Sequence, residues 1–236
     1  MNMNMIVDGH TGIEHAIPIA HLYDDVRQLW AATNVGYTPT LVVAFGGLDG
    51  EHYFYATTDV WKHPILTKYV PRTILDSRSI HRETAPKGDF NVIDVAKTAT
   101  MLQRAGVPVN TGAHGQREGL GTHWELWMLV EGGMTPLEAL RSATLNPAKY
   151  LGLDKEIGSL EVGKLADLSV IDGDLLTNIR LSDRVTHVMV NGRLYDTSTM
   201  DEVGATPKKR PKLFFERIPG GYVPADTETL PGACRH

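Results

Sequence analysis

The sequence predicts an α/β fold built from parallel strand–helix units. Apolar segments rich in β-branched and aromatic residues alternate with segments whose apolar residues recur at helical spacing. After Gly158 the pattern changes to short strand-like segments joined by a tight turn. Because strands that alternate with helices pair in parallel, we expect one parallel sheet with helices, followed by a small β module.

Three strands and two helices are predicted before residue 116. The strands are expected near Met5, over 35–45 and over 107–111, and the helices over 21–33 and 91–104. Gly46 and Gly47 end the second strand. Residues 46–88 then form a long excursion rich in aromatic residues, and a connection of this length is usually functional or contains short elements of its own.

Among the later elements, the helix that starts after Thr135 has the clearest local signal. Threonine at the cap, Pro136 in the first helical position and Glu138 three residues after the cap form a capping-box pattern. We expect this helix to run to about Leu145 and to end before Pro147. The remaining elements are a helix over 122–131, strands over 168–171 and 187–190, and a hairpin turn at Asn191 and Gly192.

The composition excludes several classes of protein. The 236 residues are 42% hydrophobic and 22% charged, which is typical of a globular chain and not of a disordered chain or a disulfide scaffold. A formal net charge of −5 gives no electrostatic footprint for nucleic acid. No apolar run reaches the roughly 18–20 residues of a membrane span, and the start lacks the features of a signal peptide. The single cysteine, Cys234, excludes an internal disulfide and leaves the compartment open.

Three histidines follow the ends of predicted strands. His10 and His15 flank the end of the first strand, and His114 comes just after the third. Residues at the carboxyl ends of strands in βα folds point into the site, and imidazoles are suitable ligands for zinc, iron, copper or nickel. Each of them can equally be a hydrogen-bonded loop histidine, because the sequence contains no His-x-His or His-Glu-x-x-His pattern.

Other polar and aromatic residues are candidates for binding a substrate. Tyr37, at the end of the second strand, and His52 and Tyr53, in the aromatic excursion, are expected to line a pocket; strand propensity and core packing explain the same residues. Trp124 and Trp127 have the spacing of a buried helix face. Beside them, Glu125 and His123 can still reach a site at the strand ends, and Glu14 can orient the imidazole of His15.

Three segments resemble the C-terminal signature of the amidohydrolase superfamily. They are MTPLEALRSATLNPAKYLGL from Met134, GSLEVGKLADL from Gly158 and VMVNGRL from Val188. The resemblance is closest to the imidazolonepropionase-like branch, in particular to amidohydrolase domains joined to a Tol-type β-propeller, and it covers the chain from about Met5 to Asp196.

This resemblance implies a (β/α)8 barrel with a small β-sandwich. Matched to the family's strand motifs, the chain is expected to supply the part from about strand six to strand eight. Residues 1–152 then form a partial barrel of a metal-dependent hydrolase, residues 153–200 a segment of the β-sandwich, and residues 201–236 a polar tail. Related full-length proteins include periplasmic or secreted ones.

The resemblance also assigns roles to two histidines. The segment around His15 matches the motif after strand six, so His15 is carried over as a metal ligand. The turn that contains His114 matches the motif after strand eight, where His114 stands in place of the usual aspartate. That aspartate binds metal and takes a proton from the attacking water, and a histidine is able to do either. Zinc or another divalent metal is the implied cofactor.

Three functional hypotheses follow. The first is a metal-dependent hydrolase that cleaves C–N bonds of an amide, peptide or cyclic amide with metal-activated water. The second is a truncated, non-catalytic fragment or a half-barrel that needs a partner chain, because the family's ligands after strands one to five are not in this sequence. It predicts a homo-oligomer or association with an N-terminal half. The third is a binding module that uses the aromatic excursion over 46–88. A small-molecule or peptide-like substrate is expected, with no nucleic-acid or membrane partner.

Overall fold

The computed structural model describes residues 2–44, 48–115 and 117–217. Its α-helices are α1 (Asn2–Val7), α2 (Asp24–Ala31), α3 (Gly50–Thr57), α4 (Leu66–Tyr69), α5 (Arg72–Ile80), α6 (Val92–Arg104), α7 (Gly121–Glu131), α8 (Pro136–Ser142) and α9 (Leu145–Tyr150). Its strands are β1 (Gly12–Glu14), β2 (Gly36–Thr38), β3 (Leu168–Ile171), β4 (Val185–Val190) and β5 (Arg193–Asp196). The α/β class is confirmed.

A small parallel sheet organises the first part of the chain. β1 pairs with β2 in parallel, with Ile13 opposite Tyr37. On its other side, Tyr37 forms a parallel bridge with Val109. The three segments run in the same direction, so their carboxyl ends meet at one edge of the sheet.

One face of this sheet is buried against helices. Ile13, Tyr37 and Val109 are all almost fully buried. The ring of Trp30, from α2, lies 5.0 Å from that of Tyr37, and its indole N–H donates to the Val35 carbonyl at 2.8 Å. On the other face Tyr150 covers Gly12, where a Cβ atom would collide with its ring. A larger residue at position 12 would therefore require the Tyr150 ring to move.

The start of the chain differs from the sequence prediction. The strand expected near Met5 is helix α1, and the first strand lies further on, at Gly12–Glu14. A short apolar run does not distinguish a strand from a buried helical turn, and Ile6 is buried within α1.

The second strand is shorter than predicted. It covers Gly36–Thr38 only, because Thr40 takes a left-handed backbone conformation (φ 52°) and leads into a 3-10 helix at Leu41–Val43. Gly46 and Gly47, expected to end it, lie outside the described residues.

The aromatic excursion consists of short helices that pack on the scaffold. Within the described residues it contains α3, α4 and α5. Phe54 stacks on Trp124 with ring centroids 4.9 Å apart, and Trp127 packs edge-on against Phe54. Both tryptophans are buried, which confirms the buried face predicted for α7.

The capping box at Thr135 is confirmed, but the helix after it is shorter than expected. α8 ends at Ser142, and a new helix, α9, begins at Leu145 and contains Pro147. The helix does end before Pro147, as predicted, but earlier than the expected end at about Leu145. Pro147 lies in the first turn of α9, where its missing N–H leaves no helical hydrogen bond unmade.

The remaining strands form an antiparallel sheet in the order β3-β4-β5. Asn191 and Gly192 both have positive φ (48° and 77°), which confirms the predicted tight turn between β4 and β5. Past residue 200, Glu202 bridges to Tyr195 and to Lys208. Cys234 lies outside the described residues, and none of the described helices is long and apolar enough to cross a membrane.

Replacing Thr135 with alanine is expected to lower the free energy of unfolding by about 1 kcal/mol, because the hydroxyl accepts from the Glu138 N–H at 3.2 Å. Urea unfolding measures this change. Thr144→Ala is the control, since that hydroxyl donates to the Leu140 carbonyl and caps nothing. An equal loss in both variants would contradict a specific capping contribution.

Candidate functional site

The carboxyl edge of the parallel sheet carries three residues in the left-handed backbone region. His15 follows β1 with φ 68°, Thr40 follows β2 with φ 52°, and His114 follows the Val109 segment with φ 54°. This conformation is uncommon for residues other than glycine and concentrates at functional sites. The edge therefore combines backbone strain with two imidazoles.

His15 and His114 come together although they are distant in the sequence. Their ring centroids are 5.0 Å apart with an interplanar angle of 71°, and both side chains are exposed. The imidazole rings of the two residues predicted as metal ligands therefore lie next to each other. His10, which no motif assigned, is exposed after α1, and its backbone N–H donates to the Met5 carbonyl.

The spacing of the two imidazoles fits a shared divalent metal. With zinc–nitrogen bonds of about 2.1 Å and tetrahedral angles, two imidazoles on one ion have centroids roughly 5 Å apart. The pair of His15 and His114 therefore supplies two donors of suitable type and separation. Among the described residues, however, no group of three or more His, Cys, Asp or Glu side chains is arranged to hold a metal ion.

Glu14, the residue before His15, forms a hydrogen bond with Tyr150. Its carboxylate accepts a hydrogen bond from the Tyr150 hydroxyl at 2.7 Å. Burial and this contact raise the pKa of Tyr150 to about 12, so the phenol stays protonated and donates across the physiological range. Tyr150 links the end of α9 to the end of β1.

Directly behind the strand ends lies a buried carboxyl group. Glu125 of α7 is completely buried and accepts a hydrogen bond from the Val42 N–H at 2.7 Å. Burial raises the pKa of Glu125 to about 8, while the N–H groups of Val42, Leu41 and Gly112 act to lower it. The sequence indicated that Glu125 is able to reach the site, since an acid stands between two tryptophans of a buried helix face.

The predicted substrate-binding residues lie in different places. Tyr37 is in the core, where burial raises its pKa and the backbone of Ile17 acts to lower it. Tyr53 is also buried and donates to the Glu131 carboxylate at 3.2 Å. His52 is half-buried, with Nδ1 2.9 Å from the Asp49 carboxylate. A role in substrate binding stays a prediction for all three.

His123 lines a cavity of about 590 Å³ between α7 and the antiparallel sheet. Its Nδ1 lies 3.1 Å from the Ser182 hydroxyl, and burial lowers the pKa of the imidazole. His63 and Asp183, with Nε2 and Oδ2 3.9 Å apart, line the same cavity. Sequence reasoning missed this cluster because its members come from three separate segments.

Comparison with known proteins gives a consistent family. The sequence profile of the amidohydrolase family matches residues 8–195. The chain is similar to a 5-methylthioadenosine/S-adenosylhomocysteine deaminase from Moorella thermoacetica, with 40% identity over 79% of this chain and 48% of that protein. It is also similar to an imidazolonepropionase from Fusobacterium nucleatum, with 26% identity over 71% of this chain and 43% of that protein.

A solved structure shares the fold. The structure of a Xaa-Pro dipeptidase with bound methionine matches 82% of this chain and 42% of its own, with a TM-score of 0.56 and 24% identity. The chain spans less than half the length of each of these relatives.

The free energy of unfolding is expected to fall as pH rises between about 4.5 and about 8, the ordinary and the folded pKa of Glu125. In this window the folded protein keeps a proton that the unfolded chain has released, so stability that is present below the unfolded pKa is lost as pH rises through the folded pKa. One group contributes at most about 1.4 kcal/mol per pH unit.

Urea unfolding at several pH values, on the unchanged protein and on Glu125→Gln, measures this dependence. Glutamine does not titrate, so the variant is expected to have the flatter profile. Identical profiles would contradict the elevated pKa of Glu125.

Proposed function

The chain belongs to the amidohydrolase family, and from this premise we propose that it is a hydrolase of that kind, which cleaves C–N bonds with the help of a divalent metal bound by His15 and His114. Members of this family generally use such a metal. The observation that carries the proposal is the 5.0 Å approach of the two imidazoles at the carboxyl edge of the sheet.

A divalent metal bound there would supply Lewis-acid chemistry, which polarises a scissile carbonyl and lowers the pKa of water. His15 and His114 are the residues of this chain that would hold it, and zinc suits imidazole donors. The backbone at His15 and His114 is left-handed, and both residues lie just after the strand ends.

His114 is alternatively the proposed proton carrier. It stands where related sequences have an aspartate, and its side chain is exposed to solvent. Because a neutral imidazole has a single unprotonated ring nitrogen, His114 would take this role instead of binding the metal, not together with it. That nitrogen would accept a proton from the water that attacks the carbonyl carbon. The same nitrogen then delivers that proton to the departing amine, because imidazole exchanges protons readily near neutral pH.

The proposed substrate is a small amide, peptide or cyclic amide. Of the predicted binding residues, His52 is the one whose ring reaches solvent. Tyr37 and Tyr53 are buried in the core. We further propose that the barrel part ends at about residue 152, that 153–200 belongs to a β-sandwich, and that the polar tail starts at 201.

Replacing His15 or His114 with alanine is expected to lower the affinity for zinc at least tenfold and to abolish zinc-dependent hydrolysis of an amide panel, because each removes one of two donors. Calorimetric zinc titration and product detection measure the two effects. His81→Ala, an exposed histidine at the end of α5, is the control and is expected to bind zinc normally. Equal zinc affinity in all three variants would refute the assignment.

An alternative is supported by the sheet edge. Within the described residues β1 pairs only with β2, and its other edge has no strand partner. An open parallel edge needs cover, which favours a half-barrel that associates with a second copy or with a chain that supplies further strands.

Light scattering is expected to give a mass above that of the 26.0 kDa monomer if this alternative holds. Association through the β1 edge would also make thermal unfolding depend on protein concentration. A monodisperse monomer that unfolds cooperatively, at a midpoint independent of concentration, would exclude self-association.

A further inference from the structure

Glu125 is an acid at a position where acids are rare. It lies in the second turn of α7 and has no exposed surface. Its neighbours along the helix, Trp124, Leu126 and Trp127, are apolar and buried. Glutamate is almost never fully buried without polar partners. We therefore expect the carboxyl group of Glu125 to have a specific structural role.

The carboxyl group lies between two turns and makes its hydrogen bond to the first of them, while Oε2 has no hydrogen-bond partner among the described residues. Oε1 accepts from the Val42 N–H at 2.7 Å, and Val42 lies in the 3-10 helix that follows Thr40. The N–H groups of Leu41 and Gly112 are close enough to stabilise its charge. Gly112 is two residues before His114, so the carboxyl group lies between the turn after β2 and the turn that carries the histidine.

Gly112 also lies close to β2 and to the turn that follows it. A Cβ atom on Gly112 would lie 2.6 Å from Cγ2 of Thr38, the last residue of β2, and 2.8 Å from Oγ1 of Thr40. A residue larger than glycine at 112 would therefore require these threonine side chains to shift, so the segment that carries His114 packs closely against the end of β2.

From these contacts we infer that Glu125 is a positioning residue, which ties the turns over 40–43 and 110–115 to α7 and thereby fixes where the imidazole of His114 lies. The link between Glu125 and the two turns follows from the hydrogen bond to Val42 and the position of Gly112. The effect of this link on a metal ligand rests on the proposed function. An apolar residue at 125 would leave the Val42 N–H buried without an acceptor, and backbone donors in that state are unfavourable.

The test compares Glu125→Ala, Glu125→Gln and Leu129→Ala. Leu129 is fully buried one turn further along α7, so its truncation destabilises the same helix without removing an acceptor from either turn. Amide hydrogen exchange of Leu41, Val42 and Gly112 reports on the turns without any metal, and calorimetric zinc titration reports on the site.

Glu125→Ala is expected to speed exchange of these three amides at least tenfold relative to the rest of the chain, and to weaken zinc binding about 10- to 100-fold, the usual effect of losing a residue that supports a ligand. Glu125→Gln keeps a hydrogen-bond acceptor and is expected to retain the slow exchange of the three amides and the zinc affinity of the unchanged protein. Leu129→Ala is expected to leave zinc binding unchanged. If Glu125→Ala does not fold, Glu125→Asp is used in its place. The shorter side chain places the carboxyl group further from Val42, so exchange of the same three amides is expected to be faster.

Equal effects of Glu125→Ala and Leu129→Ala on the three amides would overturn the inference, because the role would then be ordinary core packing. Selective loosening of the turns together with unchanged zinc affinity would also overturn it, since His114 would not depend on the tie. If even the unchanged protein binds no zinc, the proposed function fails, while the exchange data alone still decide whether Glu125 ties the turns.

Discussion

Parallel pairing on both sides of β2 is the constraint on which the rest of the structure depends. Tyr37 donates its N–H to the Pro108 carbonyl and accepts from the Asn110 N–H, both at 2.8 Å, while β1 pairs along the opposite edge. Since all three segments run in one direction, the residues after them leave the sheet at the same edge. The proximity of His15 and His114 is a consequence of this pairing.

Helix packing holds that edge in place. The Trp30 indole bonds to the chain just before β2, and α7 presents Glu125 to the backbone just after β2. The sheet is thus fixed at both ends of its central strand by side chains of surrounding helices. The segments that carry the two proposed metal ligands are thereby attached to the core, although the imidazoles themselves are exposed.

The sequence correctly predicted those elements whose formation depends on neighbouring residues along the chain. The capping box at Thr135, the amphipathic helix α6 and the turn at Asn191 each depend on neighbouring residues, and all three are present. The predictions failed where tertiary contacts compete with a weak local preference. The strand expected near Met5 is a helix, and β2 stops early because the chain must turn at Thr40.

The sequence by itself determined the family and the α/β class and predicted a role for the two histidines, because motifs and periodicity depend only on the order of residues along the chain. It could not determine that the two rings lie 5.0 Å apart or that the carboxyl of Glu125 lies against the Val42 N–H between two turns. Those contacts join residues distant in the chain. Only the sheet register and the packing of α7 bring them together, and neither leaves a local signal in the sequence.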